Sequence, residues 1–198
     1  MVLAKLCSDA EVTKIVNTTI AKFGRLDVLV NNAGVAELST IESTSMEQYD
    51  RIMSVNVRAV YHLTMLCVPH LIQTRGNIVN VSSSSGTRPL PKVLAYSMSK
   101  SAVNMMTNSI ALELAPKGVR VNSVNLGMVP TNIHRRAGLT GDAYDKYMEH
   151  MKEVHPLGRL GKPEDVAQSI AFLASSSASF ITGEQLHVDG GWHAVCAR

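Results

Sequence analysis

Two patterns of hydrophobic and polar positions alternate along the chain, one typical of amphipathic helices and the other of buried strands. Apolar side chains follow helical spacing in residues 10–24, 45–73 and 94–115, and again from Pro163. Short, mostly apolar runs occupy Leu26–Val30, Ile78–Val81, Val119–Val124 and Gln185–Val188. Because strands alternate with helices, the pattern predicts an α/β fold around a parallel sheet, with Leu26–Val30 covered by helices on both faces.

Local signals mark where several of these elements begin and end. Ser45 and Gln48 have the spacing of a helix-capping box, and Pro69 is expected to kink or end the helix that they open. Gly24 follows the last apolar position of the first helix. Residues 130–160 mix charges with glycines, so we expect a mobile loop with short helices there, of the kind that often covers a substrate.

Composition limits the classes of protein to which the chain can belong. Its 198 residues are 45% hydrophobic, which suits a single domain spanning the whole chain. A net charge of +3 with scattered Lys and Arg residues argues against a nucleic-acid partner. Cys7, Cys67 and Cys196 lack metal-ligand spacing and are interpreted as free thiols, and no apolar run reaches the roughly 20 residues of a membrane span. We therefore expect a protein with neither a bound metal nor a membrane contact, and a cytoplasmic one unless a targeting signal has been lost from its amino terminus.

The strongest chemical signal is Tyr96-Ser97-Met98-Ser99-Lys100, near the start of the helix predicted over residues 94–115. Residues four apart lie on the same helical face, so we expect the ammonium of Lys100 beside the phenol of Tyr96. A neighbouring ammonium lowers the phenol pKa from about 10 towards the range of a general acid or base, as carbonyl reduction requires. For this motif alone, a solvated pair on an ordinary helix remains the alternative.

Serine hydroxyls follow directly on a predicted strand at Ser82-Ser83-Ser84-Ser85-Gly86. The carboxyl ends of parallel strands open into the crevice where α/β sheets bind ligands, so a serine there could hold a substrate carbonyl oxygen. A serine-rich turn that satisfies its own backbone is the alternative. A nucleophilic serine is disfavoured, because the chain has no G-x-S-x-G elbow.

Asparagines mark two further candidate positions. Asn31-Asn32-Ala33-Gly34 ends the strand that begins at Leu26, where amides can bind a ribose or join adjacent strands, and Gly34 lets a ligand approach the backbone closely. An ordinary turn after a strand is the alternative. Asn56 is a polar residue in an apolar helical stretch, and a buried asparagine needs hydrogen-bond partners, usually structural ones.

Taken in order, these four motifs resemble those of the short-chain dehydrogenase/reductase family in residue type and spacing. The resemblance extends to Arg120–Asn125 with Gly127, Val129 and Thr131, to Pro156–Arg159, to Gly161–Ala167, to Thr182-Gly183 and to Val188–Gly191. It covers nearly the whole chain, and the nearest branch is similar to the 3-oxoacyl-carrier-protein reductases. It implies a Rossmann-like doubly wound parallel sheet and either NAD or NADP as cofactor.

The family's roles fall on particular residues of this chain. The resemblance implies that Tyr96 exchanges a proton with the carbonyl or alcohol oxygen, while Lys100 lowers the tyrosine pKa and binds the nicotinamide ribose. It implies that Ser83 orients the substrate oxygen and that Asn56 positions a water in the proton relay. It also places along the cofactor Asn31, Ala33, Gly34, Gly127, Val129 and Thr131, the last two at the carboxamide.

One part of the family pattern is missing from the sequence, namely the glycine-rich turn that faces the cofactor pyrophosphate. The chain opens at what resembles the family's third strand, Val2–Leu6, so we expect a domain truncated at its amino terminus by roughly 50–60 residues, its first βαβ portion. Lys5 and Leu126 stand where the family usually has an aspartate and a proline. The strand Leu26–Val30 would then be an exposed edge, which favours poor stability or self-association.

Two functions remain open at this point. The first is an NAD(P)-dependent oxidoreductase that reduces a ketone or oxidises a secondary alcohol, and that is weak or inactive where the pyrophosphate site is incomplete. The second is a non-catalytic form that self-associates or pairs with full-length subunits of the family. In both cases the resemblance implies a homo-oligomer, a dimer or a tetramer, built on residues 44–73 and 94–115 and on the last helix and strand.

Overall fold

A computed structural model describes residues 5–195, in which helices and strands alternate. The helices are α1 (Asp9–Phe23), α2 (Met46–Met53), α3 (Ala59–Thr74), α4 (Leu94–Leu114), α5 (Asn132–Arg136), α6 (Gly141–Val154) and α7 (Pro163–Ala174). The strands are β1 (Val28–Asn31), β2 (Asn77–Ser83), β3 (Arg120–Leu126) and β4 (Gln185–Val188). Within the described residues these strands form one four-stranded parallel sheet in the order β1-β2-β3-β4. The predicted strand Val2–Leu6 falls mostly outside the described residues, and Lys5 and Leu6 belong to no strand.

The carboxyl ends of the strands lie together at one edge of the sheet. Asn31 of β1 is opposite Asn80 of β2, and Ser83 at the end of β2 is opposite Leu126 of β3. Leu126 in turn is opposite Val188 of β4. Ligand crevices of open α/β sheets form at this edge, so the fold brings the segments that follow β1, β2 and β3 to one place.

Helices cover both faces of the sheet, as predicted for a doubly wound fold. Ile78 of β2 and Val121 of β3 pack into a core with side chains of α1, α3 and α4. The alternate positions Val79 and Val124 pack on the opposite face against α7. Because successive side chains of a strand point to opposite faces, the apolar run of β2 supplies both cores.

Two predictions were made for β1, and within the described residues the one confirmed is that it forms an exposed edge of the sheet. Leu29 is buried against the helical layer, whereas Val28 and Val30 are 36% and 39% exposed. The expectation that helices cover both faces of this strand is therefore wrong. The physical reason is that Leu29 packs into a core with side chains of α1 and α3, whereas Val28 and Val30 belong to none of the described core clusters.

The long helix predicted over residues 45–73 is divided by a π-helical turn, Ser54–Arg58, which joins α2 to α3. Its predicted cap is confirmed in part, because the Ser45 hydroxyl accepts a hydrogen bond from the Gln48 amide at 3.2 Å. The Gln48 side chain donates instead to the carbonyl of Leu38, so the capping box is incomplete. Pro69 lies inside α3, which continues to Thr74.

Residues 130–160 are more regular than expected. They contain the short helix α5 and the 14-residue helix α6, rather than only short helices in a loop. Met148 and Met151 of α6 are buried against Met128, which follows β3. This packing holds α6 against the end of the sheet and accounts for the difference.

The cysteines agree with the prediction of free thiols as far as they are described. Cys7 is exposed and Cys67 is buried, and neither forms a disulfide. Burial raises the pKa of the Cys67 thiol to about 11. Cys196 lies outside the described residues. Among the helices described between residues 5 and 195, none has the length and apolar character needed to cross a membrane.

Candidate active site

Four of the predicted site residues meet at the carboxyl edge of the sheet. Ser83 ends β2, Tyr96 and Lys100 occupy the first two turns of α4, and Asn56 lies in the π-helical turn. The Lys100 ammonium is 5.6 Å from the centre of the Tyr96 ring. A Cβ added to Gly34 would lie 3.4 Å from the Asn56 Oδ1 and 3.5 Å from the Lys100 Nζ. The structure therefore brings together segments that lie far apart in the sequence.

Tyr96 is partly buried at the start of α4. Burial raises its pKa above the ordinary value of 10, and a hydrogen bond with the Ser83 side chain lowers it in part. This direction is opposite to the one predicted from the neighbouring lysine. The structure thus places a protonated phenol beside a serine hydroxyl at neutral pH.

Lys100 is almost fully buried, with 5% of its surface exposed. Its ammonium donates a hydrogen bond to the carbonyl of Val81 at 2.9 Å. A neutral carbonyl compensates the burial of a charge only partly, and burial lowers the pKa of Lys100 from 10.5 to about 8. This lysine therefore exchanges its proton near physiological pH, unlike an exposed lysine.

Asn56 is held from both ends of its amide group. Its Oδ1 accepts from the Val35 backbone amide at 2.9 Å, and its Nδ2 donates to the Val35 carbonyl at 2.9 Å. The same Nδ2 donates to the Ser99 hydroxyl at 3.0 Å. π-Helical turns occur frequently at functional sites, because the extra residue redirects a side chain. These bonds anchor segment 34–35 and α4 to one buried asparagine.

Ser83 forms the self-bonded turn that was one alternative for the serine run. Its Oγ accepts hydrogen bonds from the Ser85 backbone amide at 3.2 Å and the Ser85 hydroxyl at 3.0 Å. It also lies 3.4 Å from the carbonyl of Leu126, to which it donates. The serine therefore closes its own turn and still reaches Tyr96.

The serine turn, residues 82–86, packs directly against the backbone of α4 at Gly86. A Cβ at this position would lie 2.8 Å from the carbonyl carbon of Lys100 and 2.9 Å from its oxygen. Because backbone atoms cannot move aside cheaply, we expect Gly86→Ala to lower the free energy of unfolding by about 1–3 kcal/mol. Urea unfolding monitored by circular dichroism measures this loss.

Gly161→Ala is the matched control for that substitution. Its added Cβ would meet a side-chain methyl of Val129 at 3.0 Å, and a methyl can shift. We expect a smaller loss of stability for this variant. Equal losses for the two glycines would contradict a tight seat of the serine turn on α4.

Asn31 is used to join strands and helices rather than left free at the edge. Its Nδ2 donates to the Thr64 hydroxyl at 3.1 Å and to the Asn80 Oδ1 at 2.8 Å. Asn80 in turn donates to the Thr107 hydroxyl of α4 at 2.9 Å. Both amide hydrogens of Asn31 are therefore engaged inside the protein. Ala33, two residues further on, is exposed.

The residues predicted for the nicotinamide side lie on the loop that follows β3. Gly127 has no room for a side chain, since an added Cβ would lie 2.7 Å from the Cα of Asp189. Val129 is buried in the core under α7. The Thr131 hydroxyl caps α5 by accepting from the Ile133 amide at 3.4 Å. The fold places this loop beside Ser83 through the pairing of β2 with β3.

Sequence reasoning missed a buried carboxylate, Asp189, that anchors the serine turn. It accepts a hydrogen bond from the Ser84 hydroxyl at 2.9 Å and another from the His193 amide at 2.8 Å. Although burial acts to raise its pKa, bonds from His193 and Ser84 bring that pKa below its usual value. No local pattern links Ser84 to a carboxylate more than a hundred residues away.

The sequence and the fold both resemble those of known proteins. The sequence profile of the family described as enoyl-(acyl carrier protein) reductase matches residues 3–193. The 3-oxoacyl-(acyl-carrier-protein) reductase FabG of Thermotoga maritima is 40% identical over 182 residues, which are 91% of this chain and 72% of the relative.

Two solved structures resemble the fold along nearly its whole length. A short-chain dehydrogenase/reductase of unknown function from Caenorhabditis elegans, crystallised with cofactor, gives a TM-score of 0.91 at 36% identity over 99% of this chain and 76% of its own. The 3-ketoacyl-(acyl-carrier-protein) reductase of Brucella melitensis, complexed with NADH, gives a TM-score of 0.89 at 36% identity. The match covers 97% of this chain and 78% of the reductase. These likenesses confirm the predicted Rossmann-like α/β sheet.

Proposed function

Because the chain belongs to the short-chain dehydrogenase/reductase family, we propose that it transfers a hydride between a nicotinamide dinucleotide and a ketone or secondary alcohol. The observation that carries this proposal is the meeting of a protonated phenol, a serine hydroxyl and a buried ammonium at the carboxyl edge of the sheet. That edge is where open α/β sheets bind dinucleotides. The relatives named above are oxidoreductases, which supports the same reaction class.

The space beside Gly34 supports part of the proposed dinucleotide site. The absence of a side chain leaves space between Asn56 and Lys100, and a cavity of about 190 Å³ opens next to it beside Val30 and Ala33. The cofactor, when bound, supplies or accepts the hydride. Its proposed contacts are Asn31, Ala33, Gly34, Tyr96, Lys100, Gly127, Val129 and Thr131. Because both amide hydrogens of Asn31 are engaged, its contact would come from the backbone or from Oδ1.

The proposed chemistry of this chain is proton transfer to and from the substrate oxygen. Tyr96 holds its proton at neutral pH, because burial raises the phenol pKa, so the phenol is ready to donate to a carbonyl oxygen. Ser83 would hold the same oxygen by a hydrogen bond. Lys100, with a pKa of about 8, would return the proton to the phenol, and Asn56 would position a water between this lysine and solvent.

We also propose that the protein acts as a homo-oligomer. Apolar side chains are exposed along one row of α4, at Met98, Met105 and Leu112, and on α3 at Tyr61 and Met65. Exposed apolar patches on neighbouring helices commonly mark interfaces between subunits.

A non-catalytic, self-associating form is the second candidate function. The observation that favours it is the edge strand β1, where Val28 and Val30 are partly exposed. An edge strand with apolar side chains can pair with a strand of another chain. Under this hypothesis the chain associates with other subunits and does not bind nucleotide.

Nucleotide titration by calorimetry separates the two candidates. The hydride-transfer proposal expects NADH or NADPH to bind with a dissociation constant below the millimolar range, and comparison of the two settles the cofactor preference. Gly34→Val is the matched control, since its side chain would fill the space between Asn56 and Lys100 and weaken binding. A wild-type chain that binds neither nucleotide at millimolar concentration supports the non-catalytic form instead.

A further inference from the structure

We propose that Ser39 is a positioning residue for Tyr96, and that it acts through the first turn of α4. The inference rests on the proposed role of Tyr96 as proton donor. It concerns a residue that lies outside every motif of the sequence and far from Tyr96 along the chain. Ser39 itself does not contact the phenol but contacts the backbone that carries it.

Ser39 replaces the missing cap of α4. The residue at the cap position, Val93, offers no side-chain hydrogen bond to the helix. Instead the Ser39 carbonyl accepts from the Leu94 amide at 3.1 Å, and the Ser39 hydroxyl accepts from the Ala95 amide at 3.2 Å. Two of the amides that a helix leaves unpaired at its start are therefore satisfied by one residue from another segment.

The contact between Ser39 and the start of α4 is buried, and it includes backbone hydrogen bonds as well as the side-chain bond. Ser39 is 1% exposed and Ala95 is 2% exposed. The Ser39 amide donates to the carbonyl of Lys92 at 2.8 Å, and Ser39 forms an isolated parallel bridge with Val93. Lys92 has a φ of 65°, a conformation that non-glycine residues rarely adopt. The backbone entering α4 is thus held in an unusual turn by Ser39.

Segment 34–39 links this cap to the rest of the site. At its first end, Gly34 lies against Asn56 and Lys100, and Val35 is bonded to the Asn56 amide through both its backbone groups. At its other end, Ser39 holds the amide of Ala95, which immediately precedes Tyr96. The same six residues therefore fix three groups of the proposed site relative to one another.

Removing the Ser39 hydroxyl tests the side-chain cap alone, because the backbone contacts of Ser39 stay in place. Ser39→Ala keeps the hydrogen bonds made by the Ser39 amide and carbonyl but leaves the buried Ala95 amide without its acceptor. Loss of a cap of this kind allows the first helical turn to open about fivefold more often. The Tyr96 phenol would then leave its partly buried position more often, and its pKa would move down towards its ordinary value.

The test is a pH titration of the Tyr96 phenol by NMR, in protein labelled with ¹³C at the tyrosine Cζ. Tyr96→Phe identifies the signal. In Ser39→Ala we expect a lower titration midpoint for Tyr96 and about fivefold faster hydrogen exchange of the Ala95 amide. Ser39→Thr keeps an acceptor hydroxyl and should restore both. Ser43→Ala, which removes an exposed hydroxyl bonded only to Thr40 nearby, should change neither.

Two results overturn the proposal. One is a Ser39→Ala protein in which the Tyr96 midpoint matches the wild type while only the thermal stability falls, because the serine would then be merely structural. The other needs no variant and holds even if Ser39→Ala does not fold: an Ala95 amide in the wild type that exchanges as fast as an exposed amide. Neither measurement uses a nucleotide, so a failure of the proposed function appears separately, in the calorimetric titration.

Discussion

Tyr96→Phe is expected to lower the rate of carbonyl reduction by roughly 10²–10⁴-fold, the usual contribution of a general acid. The substitution removes the hydroxyl that carries the proton and keeps the ring that packs beside Lys100. We therefore expect the affinity for nucleotide to change little. Steady-state turnover with a panel of ketones, together with calorimetric titration of the same protein, measures the two effects.

Tyr61→Phe is the matched control for this variant, because the Tyr61 hydroxyl lies outside the proposed active site and the substitution keeps the ring, 59% exposed on α3, that contributes to the proposed subunit interface. It should retain the turnover of the wild type. A Tyr96→Phe protein that reduces ketones at the wild-type rate would refute the proposed proton donor, even if nucleotide binding is normal.

Lys100 is expected to make stability depend on pH in the alkaline range. Burial lowers its pKa from 10.5 to about 8, so between these values the unfolded chain binds more protons at this site than the folded chain. The free energy of unfolding then rises with pH across that window. The penalty for burying the ammonium is present in full below about pH 8 and amounts to about 3 kcal/mol.

The measurement compares Lys100→Met with its parent by urea unfolding from pH 7 to pH 10.5. Both proteins carry Tyr96→Phe, so titration of the Tyr96 phenol does not contribute to the difference in stability between them. We expect the stability of the parent, relative to the methionine variant, to increase by about 3 kcal/mol across this range. Lys14→Met, at an exposed position, serves as the control. Its stability relative to the parent should not change with pH. A flat difference for Lys100 as well would contradict its buried, shifted state.

Much of the fold is predictable where local signals mark the ends of an element. The strand Gln185–Val188 and the start of α7 at Pro163 lie where the pattern puts them, because a proline followed by acids begins a helix whatever packs around it. The exposure of β1 follows from the missing glycine-rich segment and not from the strand's own apolar residues, because it depends on what covers the strand. The length of α6 was missed, because the partner of its buried methionines lies on another segment, at Met128.

Some features of the proposed site were also predictable from the sequence, and others were not. The order and spacing of the motifs point to Ser83, Asn56, Tyr96 and Lys100, and the structure brings these four together. The direction of the Tyr96 pKa could not be predicted, because it is set by desolvation within the folded chain, which the hydrogen bond with Ser83 offsets only in part. The contributions of Ser39 and Asp189 were also hidden, since each depends on a contact between distant segments.

The buried chain of amides and hydroxyls from Thr64 through Asn31 and Asn80 to Thr107 bears on how the molecule avoids misfolding. A slip of β1 by one residue along β2 would turn Asn31 towards the opposite face and leave several polar groups without partners in the interior. Valines alone would tolerate such an error, whereas unpaired amides penalise it heavily. The network therefore widens the energy gap between the native arrangement and its near neighbours, so that compact but wrongly aligned species are rare at equilibrium.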